Sequence, residues 1–283
     1  MTPTTASSIA ETRAAVAALR RGGRSLALVP TMGALHDGHL SLVTRAKEVA
    51  AAVVASIFVN PLQFGPAEDF DRYPRTLETD TAALGSAGVD LLFAPSVADM
   101  YPDGPTQIRV AAGRSGSVLE GLVRPGHFDG MLTVVAKLLH VVGPDVVLFG
   151  QKDAQQVFLV RRMVADLDVP VRVEVVPTVR EADGLARSSR NRYLSADDRR
   201  RALALPTALR AAAASADRGA ERMLAAARAE LDGRDGVAPD YLVAVDPATF
   251  EPVDDRYRGP ALVLVAARVG GTRLIDNALV SLG

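Results

Sequence analysis

The feature that most constrains the fold is a repeated alternation of short apolar runs with segments of helical spacing. The apolar runs lie at residues 25–29, 53–59, 89–93, 146–149 and 171–176. Strands that stay apolar along their whole length are typical of a parallel sheet covered by helices on both faces. We therefore predict an α/β fold with a Rossmann-like, doubly wound parallel sheet.

The helices between these strands are predicted from apolar residues spaced three and four apart. They cover residues 9–20, 40–51, 77–87, 133–142 and 154–167. After residue 195 the chain becomes rich in alanine and arginine, with helical spacing to residue 231, and strands follow at 241–245 and 261–267. We expect two domains, a Rossmann-like domain at 1–180 and a smaller C-terminal α+β domain at 181–283.

The composition argues against several functional classes. The chain has no cysteine, which excludes disulfides, thiol nucleophiles and cysteine-ligated zinc. A formal net charge of -1 gives no reason to expect a nucleic acid or a membrane surface as partner. The apolar run at 50–59 is too short to span a bilayer, and residues 1–13 do not resemble a signal peptide. We expect a cytoplasmic protein.

The strongest local signal is the segment PTMGALHDGHL at residues 30–40, which follows the first long apolar run and opens a helix. Ligands of open α/β sheets bind at the carboxyl ends of the strands, and free N–H groups at a helix start favour anions. His36 and His39 are three residues apart and can point the same way, while Gly38 lets a phosphate approach the backbone. The segment predicts a phosphate site. Alone, the pair would also fit two surface histidines or half of a zinc site, although the chain has only two other histidines.

Two further segments carry side chains suited to anions. The segment GQKD at 150–153 follows another apolar run, and its Lys152 is one of only three lysines among 32 basic residues. A compact ammonium retained in an arginine-rich chain favours a role in neutralising phosphate. The segment RSSRNR at 187–192 offers hydroxyl and guanidinium groups to a triphosphate. Each segment alone also fits an ordinary turn or a solvated linker.

Neutral amides form the last group. Asn60 and Gln63 lie among apolar residues after the second long run, and Gln155 and Gln156 open a helix. Amides on apolar walls fit a small hydroxy acid that carries methyl groups. Surface solvation, the ordinary role of glutamine, stays open.

Together these segments resemble the successive signatures of the pantothenate synthetases. In order along the chain they are TMGALHDGH at 31–39, SIFVNPLQF at 56–64, YPRT at 73–76, RPGHF at 124–128, GQKD at 150–153, SSRN at 188–191, LVAAR at 264–268 and TRLIDN at 272–277. The resemblance implies a nucleotide-binding core similar to that of class I aminoacyl-tRNA synthetases. It also implies an ATP-dependent ligase that joins pantoate to β-alanine through a pantoyl adenylate and releases AMP and pyrophosphate.

The resemblance further implies the ligand contacts. ATP would contact Met32, Gly33, Ala34, Leu35, His36, Asp37, Gly38, His39, Gly150, Gln151, Lys152, Asp153, Val179, Arg187, Ser188, Ser189 and Arg190. Pantoate would contact Gln63, Gln156, Met131 and Val134, and β-alanine would enter beside Gln63. The catalytic groups would be His36, His39, Lys152 and Arg190, with His39 as general acid. Family members are usually homodimers that need magnesium, and Asp80 lies where the family places acidic residues near that ion.

The sequence departs from the family pattern at three positions. Gln151 replaces a common glutamate, Ala154 a common aromatic residue, and Arg187 a methionine or leucine. Two rival functions stay open: another nucleotidyltransferase with the same histidine pair, and a non-catalytic nucleotide-binding module. The first would not need the amide-bearing segment at 60–63, and the intact histidine pair argues against the second.

A reactive mixed anhydride has to be shielded from water, so an element that closes over the site is expected. The candidates are the segment at 63–71 and the loop that carries Arg187.

Overall fold

The computed structural model describes residues 2–65, 70–104 and 106–283. Residues 66–69, part of a segment predicted to close over the site, lie outside the described residues.

The chain divides into two compact units, Met1–Gly150 with Gln155–Val176, and Gln151–Ala154 with Pro177–Gly283. The segments 151–154 and 177–180, expected in the first domain, thus group with the second unit. The domain boundary between residues 180 and 181 stays a prediction.

The first unit is built on a parallel sheet. Its strands are β1 (Thr4–Ala6), β2 (Leu26–Thr31), β3 (Ala52–Ile57), β4 (Leu91–Phe93), β5 (Val146–Gly150) and β6 (Arg172–Val176). Within the described residues, these six strands lie in the order β1-β4-β3-β2-β5-β6, and every pairing is parallel. Because β2 pairs with both β3 and β5, the strand order reverses beside β2, which is where such sheets bind ligands. The predicted Rossmann-like fold is confirmed.

The helices of this unit are α1 (Ile9–Leu19), α2 (Asp37–Val49), α3 (Leu77–Ala87), α4 (Val97–Met100), α5 (Glu120–Val123), α6 (His127–Val142) and α7 (Ala154–Asp166). Helix α6 begins six residues before its predicted start at 133. The earlier start was not predicted because Gly130 has a low helix propensity. The glycine serves packing instead, since a Cβ there would lie 1.9 Å from the carbonyl oxygen of Leu62.

The core of the first unit explains the continuous apolar runs. Residues of β2, β3 and β4 pack with α2 and α3 in one buried cluster that includes Val29, Val53, Leu92, Val43 and Leu84. Burying each such side chain contributes about 1.5–3 kcal/mol. This cluster fixes the strand ends from which the site residues project.

The second unit packs helices with an antiparallel sheet. Its elements are α8 (Ala196–Ala202), α9 (Ala204–Ala214), α10 (Ala220–Leu231), β7 (Val237–Val245), β8 (Gly259–Val269) and β9 (Thr272–Leu282). The sheet order is β7-β8-β9, which confirms the smaller α+β part. Strand β9 was not predicted, because Asp276 and Asn277 interrupt its apolar alternation although both are buried.

Candidate active site

A turn in left-handed backbone conformation joins β2 to α2. Gly33 has φ +80° and Ala34 has φ +51°. A left-handed conformation costs a residue with a Cβ roughly 1–2 kcal/mol, so the surroundings must hold Ala34 in place. The Asp80 carboxylate does so, because Oδ2 accepts the Ala34 N–H and Oδ1 accepts the Leu35 N–H, both at 2.9 Å.

The two histidines predicted to bind phosphate cap the start of α2. His36 Nδ1 accepts the Gly38 N–H at 3.1 Å, and His39 Nδ1 accepts the His36 N–H at 3.3 Å. The two ring centroids lie 4.1 Å apart. A nitrogen that accepts a hydrogen bond carries no proton, so each neutral ring holds its proton on Nε2. The structure therefore brings together two imidazole Nε2–H donors.

The reciprocal cap occupies two N–H groups at this helix start, where the sequence predicted free donors for an anion. The N–H groups of His36 and Gly38 both donate to imidazole rings. Asp37 exposes its side chain in the same turn, while the histidines are partly buried.

Gln63, predicted to contact pantoate and β-alanine, is held by a buried amide. Asn60 is fully buried, and its Nδ2 donates to Gln63 Oε1 at 3.1 Å and to the Gly130 carbonyl at 3.0 Å. Because Gln63 Oε1 is taken as acceptor, the side chain keeps its Nε2 donors for other partners. Asn60 is a positioning residue that sequence reasoning did not assign, although it was noted in the same segment.

His127 and Arg124 hold the backbone of Gln63. His127 Nδ1 lies 2.8 Å from the Gln63 carbonyl oxygen, and its Nε2 lies 3.0 Å from an Arg124 nitrogen. A carbonyl only accepts and a guanidinium only donates, so Nδ1 carries the proton and Nε2 accepts. The segment RPGHF at 124–128 thus supports Gln63, a role that only the fold could reveal.

The other predicted pantoate residues lie on α6 and α7. Met131 and Val134 are buried on α6, which packs against Pro61–Gln63. The adjacent glutamines of α7 differ. Gln155 Nε2 donates to the carbonyls of Ser115 and Val118, so this side chain ties loops together. Gln156 is partly buried and stays the candidate for ligand contact.

Tyr101 completes the network around Asn60, donating its hydroxyl hydrogen to Asn60 Oδ1 at 2.9 Å. Burial raises the pKa of Tyr101 to about 12. Its neutral form therefore contributes stability that is fully present below pH 10 and is lost as the pH rises towards 12.

We expect the free energy of unfolding of the wild type to fall more steeply above pH 10 than that of Tyr101→Phe. Urea unfolding at a series of pH values between 9 and 11 measures it. Tyr193→Phe is the control, since Tyr193 is 51% exposed and should keep the wild-type slope. Equal slopes for Tyr101→Phe and the wild type would contradict the assignment.

In the second unit, β9 anchors the turn that carries Lys152. Asn277 Nδ2 donates to the carbonyls of Gln151 and Lys152, both at 2.9 Å, and Gln151 Nε2 donates to Asn277 Oδ1 at 3.3 Å. Lys152 Nζ lies 3.3 Å from Asp153 Oδ1. The amide at position 151 can donate to Asn277 Oδ1, which the glutamate expected from the resemblance could not do when ionised.

The predicted triphosphate loop is ordered by its own backbone. The Arg187 N–H donates to the Val179 carbonyl at 2.9 Å, which brings these two predicted ATP contacts together. Ser188 caps a short 3₁₀ helix, Ser189–Tyr193, by accepting the Arg190 N–H at 3.3 Å.

Two ion pairs hold the base of this loop. Arg180 donates to both carboxylate oxygens of Asp276, at 2.7 and 3.0 Å. Glu181 accepts from Asn191 and Arg199. Burial alone would raise the pKa of Glu181, but these two hydrogen bonds and the nearby positive charges lower it overall. Glu181 therefore stays ionised and ties the loop down at neutral pH.

The magnesium role that the resemblance gave Asp80 stays a prediction, and the protein itself already occupies most of this carboxylate. Besides the two backbone N–H groups, the Thr76 hydroxyl donates to its Oδ2 at 3.0 Å. Three of its roughly four lone-pair positions are therefore occupied. Among the described residues, no group of three or more His, Asp or Glu side chains could hold a metal ion.

A cavity of about 250 Å³ opens in the first unit and is lined in part by Met32, Gly33, Phe58, Arg75 and Asp80. It lies where β2, β3 and β4 end, so the carboxyl edge of the sheet offers space for a ligand.

In the part of the chain that the structure describes, no helix is both long enough and apolar enough to span a membrane.

The fold and this histidine-capped helix start define an α/β protein of the class that binds phosphorylated ligands at the carboxyl edge of a parallel sheet. Within that class, the chain belongs to the pantoate–β-alanine ligase family, whose sequence profile matches residues 4–279. The resemblance drawn from the sequence is thereby confirmed.

Relatives match over most of their length. The pantothenate synthetase of Acidothermus cellulolyticus is 59% identical over 280 residues, which cover 97% of this chain and 91% of the relative. That of Leifsonia xyli subsp. xyli is 58% identical over 255 residues, covering 90% and 88%.

Solved structures match over nearly the whole chain. The pantothenate synthetase of Thermus thermophilus superposes with a TM-score of 0.90 at 51% identity, covering 97% of this chain and 98% of that one. The pantoate–β-alanine ligase of Francisella tularensis, crystallised with beta-gamma ATP and β-alanine, superposes with a TM-score of 0.81 at 36% identity, covering 98% and 97%.

Proposed function

We propose that this chain condenses pantoate with β-alanine to form pantothenate, using ATP and releasing AMP and pyrophosphate. The observation that carries the proposal is the family match over residues 4–279. The Francisella tularensis relative that was crystallised with beta-gamma ATP and β-alanine supports ATP and β-alanine as two of these substrates.

In the first step, a pantoate carboxylate oxygen attacks the α-phosphorus of ATP, and the bond to the leaving pyrophosphate breaks. Negative charge builds on the phosphate oxygens as the leaving group departs. The Nε2–H groups of His36 and His39 are donors suited to that charge, and His39 is the proposed general acid. Fixed donors aimed at developing charge supply a large part of catalysis.

In the second step, the β-alanine amine attacks the acyl carbon of the pantoyl adenylate, loses a proton and displaces AMP. No covalent bond to the enzyme is needed. The protein's task is to position the reactants and neutralise charge.

The second unit is assigned phosphate and nucleotide contacts on chemical grounds. Lys152 and Arg190 carry the positive charges, and Ser188 and Ser189 offer hydroxyl donors. Asp153 can accept from ribose hydroxyls. Gln151, Val179 and Arg187 are the other ATP contacts proposed for this unit, and Gly150 and Met32 to His39 are those proposed for the first unit.

Pantoate is assigned to Gln63 and Gln156, with Met131 and Val134 facing its methyl groups. Its carboxylate must stay nucleophilic, and a permanent cation bound tightly to it would blunt the attack. Neutral amides orient it without that cost. We propose that β-alanine enters beside Gln63.

Magnesium is proposed to arrive with the ATP phosphates. Mg²⁺ commonly binds substrate phosphates and water with few protein ligands, so its binding requires no dedicated cage of side chains from this chain.

The chain is further proposed to form a homodimer. Ile108, Val118, Leu122 and Val123 are exposed apolar side chains of the first unit, and sedimentation at several concentrations tests the dimer. The expected cytoplasmic location stays a prediction.

The experiment that tests the function is product analysis by mass spectrometry after incubation with ATP, magnesium, pantoate and β-alanine. We expect pantothenate and AMP in equal amounts, and no pantothenate when any one substrate is omitted. A rival nucleotidyltransferase would release pyrophosphate with another acceptor and without an amine. Folded protein that forms no pantothenate would overturn the proposal.

A further inference from the structure

A carboxylate from a distant part of the chain accepts hydrogen bonds from the turn that precedes the histidine pair. Asp80 is 3% exposed and lies 46 residues from Ala34, whose N–H it accepts. It also accepts the next N–H, that of Leu35. Two successive N–H groups around one anion form the kind of nest by which backbone binds anions. Here the anion belongs to the protein itself.

The turn is shaped around this carboxylate. A Cβ on Gly33 would lie 3.0 Å from Asp80 Oδ2 and 3.1 Å from Ile57 Cγ2. Gly33 therefore provides room for the carboxylate in addition to its positive φ of +80°. The Thr76 hydroxyl adds a third hydrogen bond to the carboxylate by donating to Oδ2 at 3.0 Å.

The contact with Asp80 is one peptide group away from the histidines. Asp80 accepts the Leu35 N–H, and the next peptide group, which links Leu35 to His36, carries the N–H that His39 Nδ1 accepts. A shift of this peptide would disturb that acceptor bond and with it the orientation of both rings. We propose that Asp80 is a positioning residue for adenylation, whose carboxylate holds the turn so that His36 and His39 keep Nε2–H directed at the reacting phosphate. This inference rests on the proposed function.

The alternative role for Asp80 is that of a magnesium ligand, and the two roles predict different kinetics. A ligand lost from the metal raises the magnesium concentration needed for half-maximal rate. A lost clamp lowers kcat, while the magnesium requirement and the KM for ATP change little.

The test variant is Asp80→Asn, which keeps the side-chain size but turns an NH₂ towards one of the two backbone N–H groups. We expect kcat of pantoate-dependent pyrophosphate–ATP exchange to fall about 10-fold or more, since small misplacements of catalytic groups cost that much. Glu78→Gln is the matched control. It removes a carboxylate from the same turn of α3, but Glu78 is exposed, so we expect wild-type kinetics.

A double-mutant cycle tests whether Asp80 acts through His39. If it does, Asp80→Asn should slow His39→Ala far less than it slows the wild type. Thr76→Val is a second variant, which removes the hydroxyl that donates to Asp80 Oδ2 without changing charge, and it should lower kcat with the same kinetic pattern. It keeps the proposal testable if Asp80→Asn fails to fold.

Ring ¹⁵N spectra of histidine-labelled protein separate this inference from the proposed function. Even without exchange activity, Asp80→Asn should move the His36 and His39 signals and leave that of exposed His140 in place. Unchanged ring signals and kinetics would overturn the inference. So would a many-fold rise in the magnesium requirement, or additive losses with His39→Ala.

Discussion

His39→Ala is expected to lower the rate of adenylation by about 10²-fold or more, the usual scale for losing one donor to a transition state. The His39 ring has two tasks: Nδ1 accepts the His36 N–H, and Nε2–H is the proposed donor to phosphate. Alanine removes both. The measurement is the rate of pantoate-dependent exchange of pyrophosphate into ATP at saturating substrates.

A second substitution separates the two tasks of His39. Asparagine can place its oxygen near the position of Nδ1 and accept the His36 N–H, but it has no atom at the position of Nε2. His39→Asn should therefore fold like the wild type and be about as slow as His39→Ala. His140→Ala is the control, since His140 is exposed near the end of α6 and should keep full activity. Near-wild-type exchange by His39→Asn would refute the donor role.

Gln63→Ala is expected to weaken pantoate use by roughly 10- to 100-fold. An unpaired buried polar group costs about 1–3 kcal/mol, and each 1.4 kcal/mol is a factor of ten. The affinity for ATP should change little, because the ATP contacts are assigned to other residues. Gln156→Ala, at the other proposed pantoate amide, should behave in the same way.

The geometry around Gln63 sharpens this expectation. Asn60 donates to Oε1, which leaves the Nε2 donors for the ligand. Gln63→Glu keeps an oxygen for Asn60 but replaces the donors with a negative charge that repels the pantoate carboxylate. We expect Gln63→Glu to use pantoate less well than Gln63→Ala. ATP affinity and pantoate dependence are measured side by side for each variant. A collapse of ATP affinity with pantoate use intact would show that the two pockets were assigned the wrong way round.

The central strands of the sheet could be predicted from the sequence because they are buried on both faces. Residues 26–31 and 52–57 are almost wholly buried, so they appear in the sequence as unbroken apolar runs. Strand β9 escaped prediction for the opposite reason. Its buried Asp276 and Asn277 bond to Arg180 and to the turn at 151–152, and buried polar residues look like surface residues in a hydropathy pattern.

The candidate site was predictable in its residue types and not in its contacts. His36 and His39 stand out because they follow a strand and open a helix. That each ring caps the helix through Nδ1 depends on backbone geometry that spacing alone does not give. The bonds that support the site join residues 46 and 64 positions apart, from Asp80 to Ala34 and from His127 to Gln63. Such pairs are brought together by the fold, and no local pattern records them.

The proposed mechanism requires that the chain activates pantoate as an adenylate before any amine takes part. This order of events is tested by the exchange of labelled pyrophosphate into ATP with magnesium and pantoate present and β-alanine absent. The mechanism predicts exchange that depends on pantoate and is lost in His39→Ala. Folded protein that forms pantothenate but shows no pantoate-dependent exchange would contradict it.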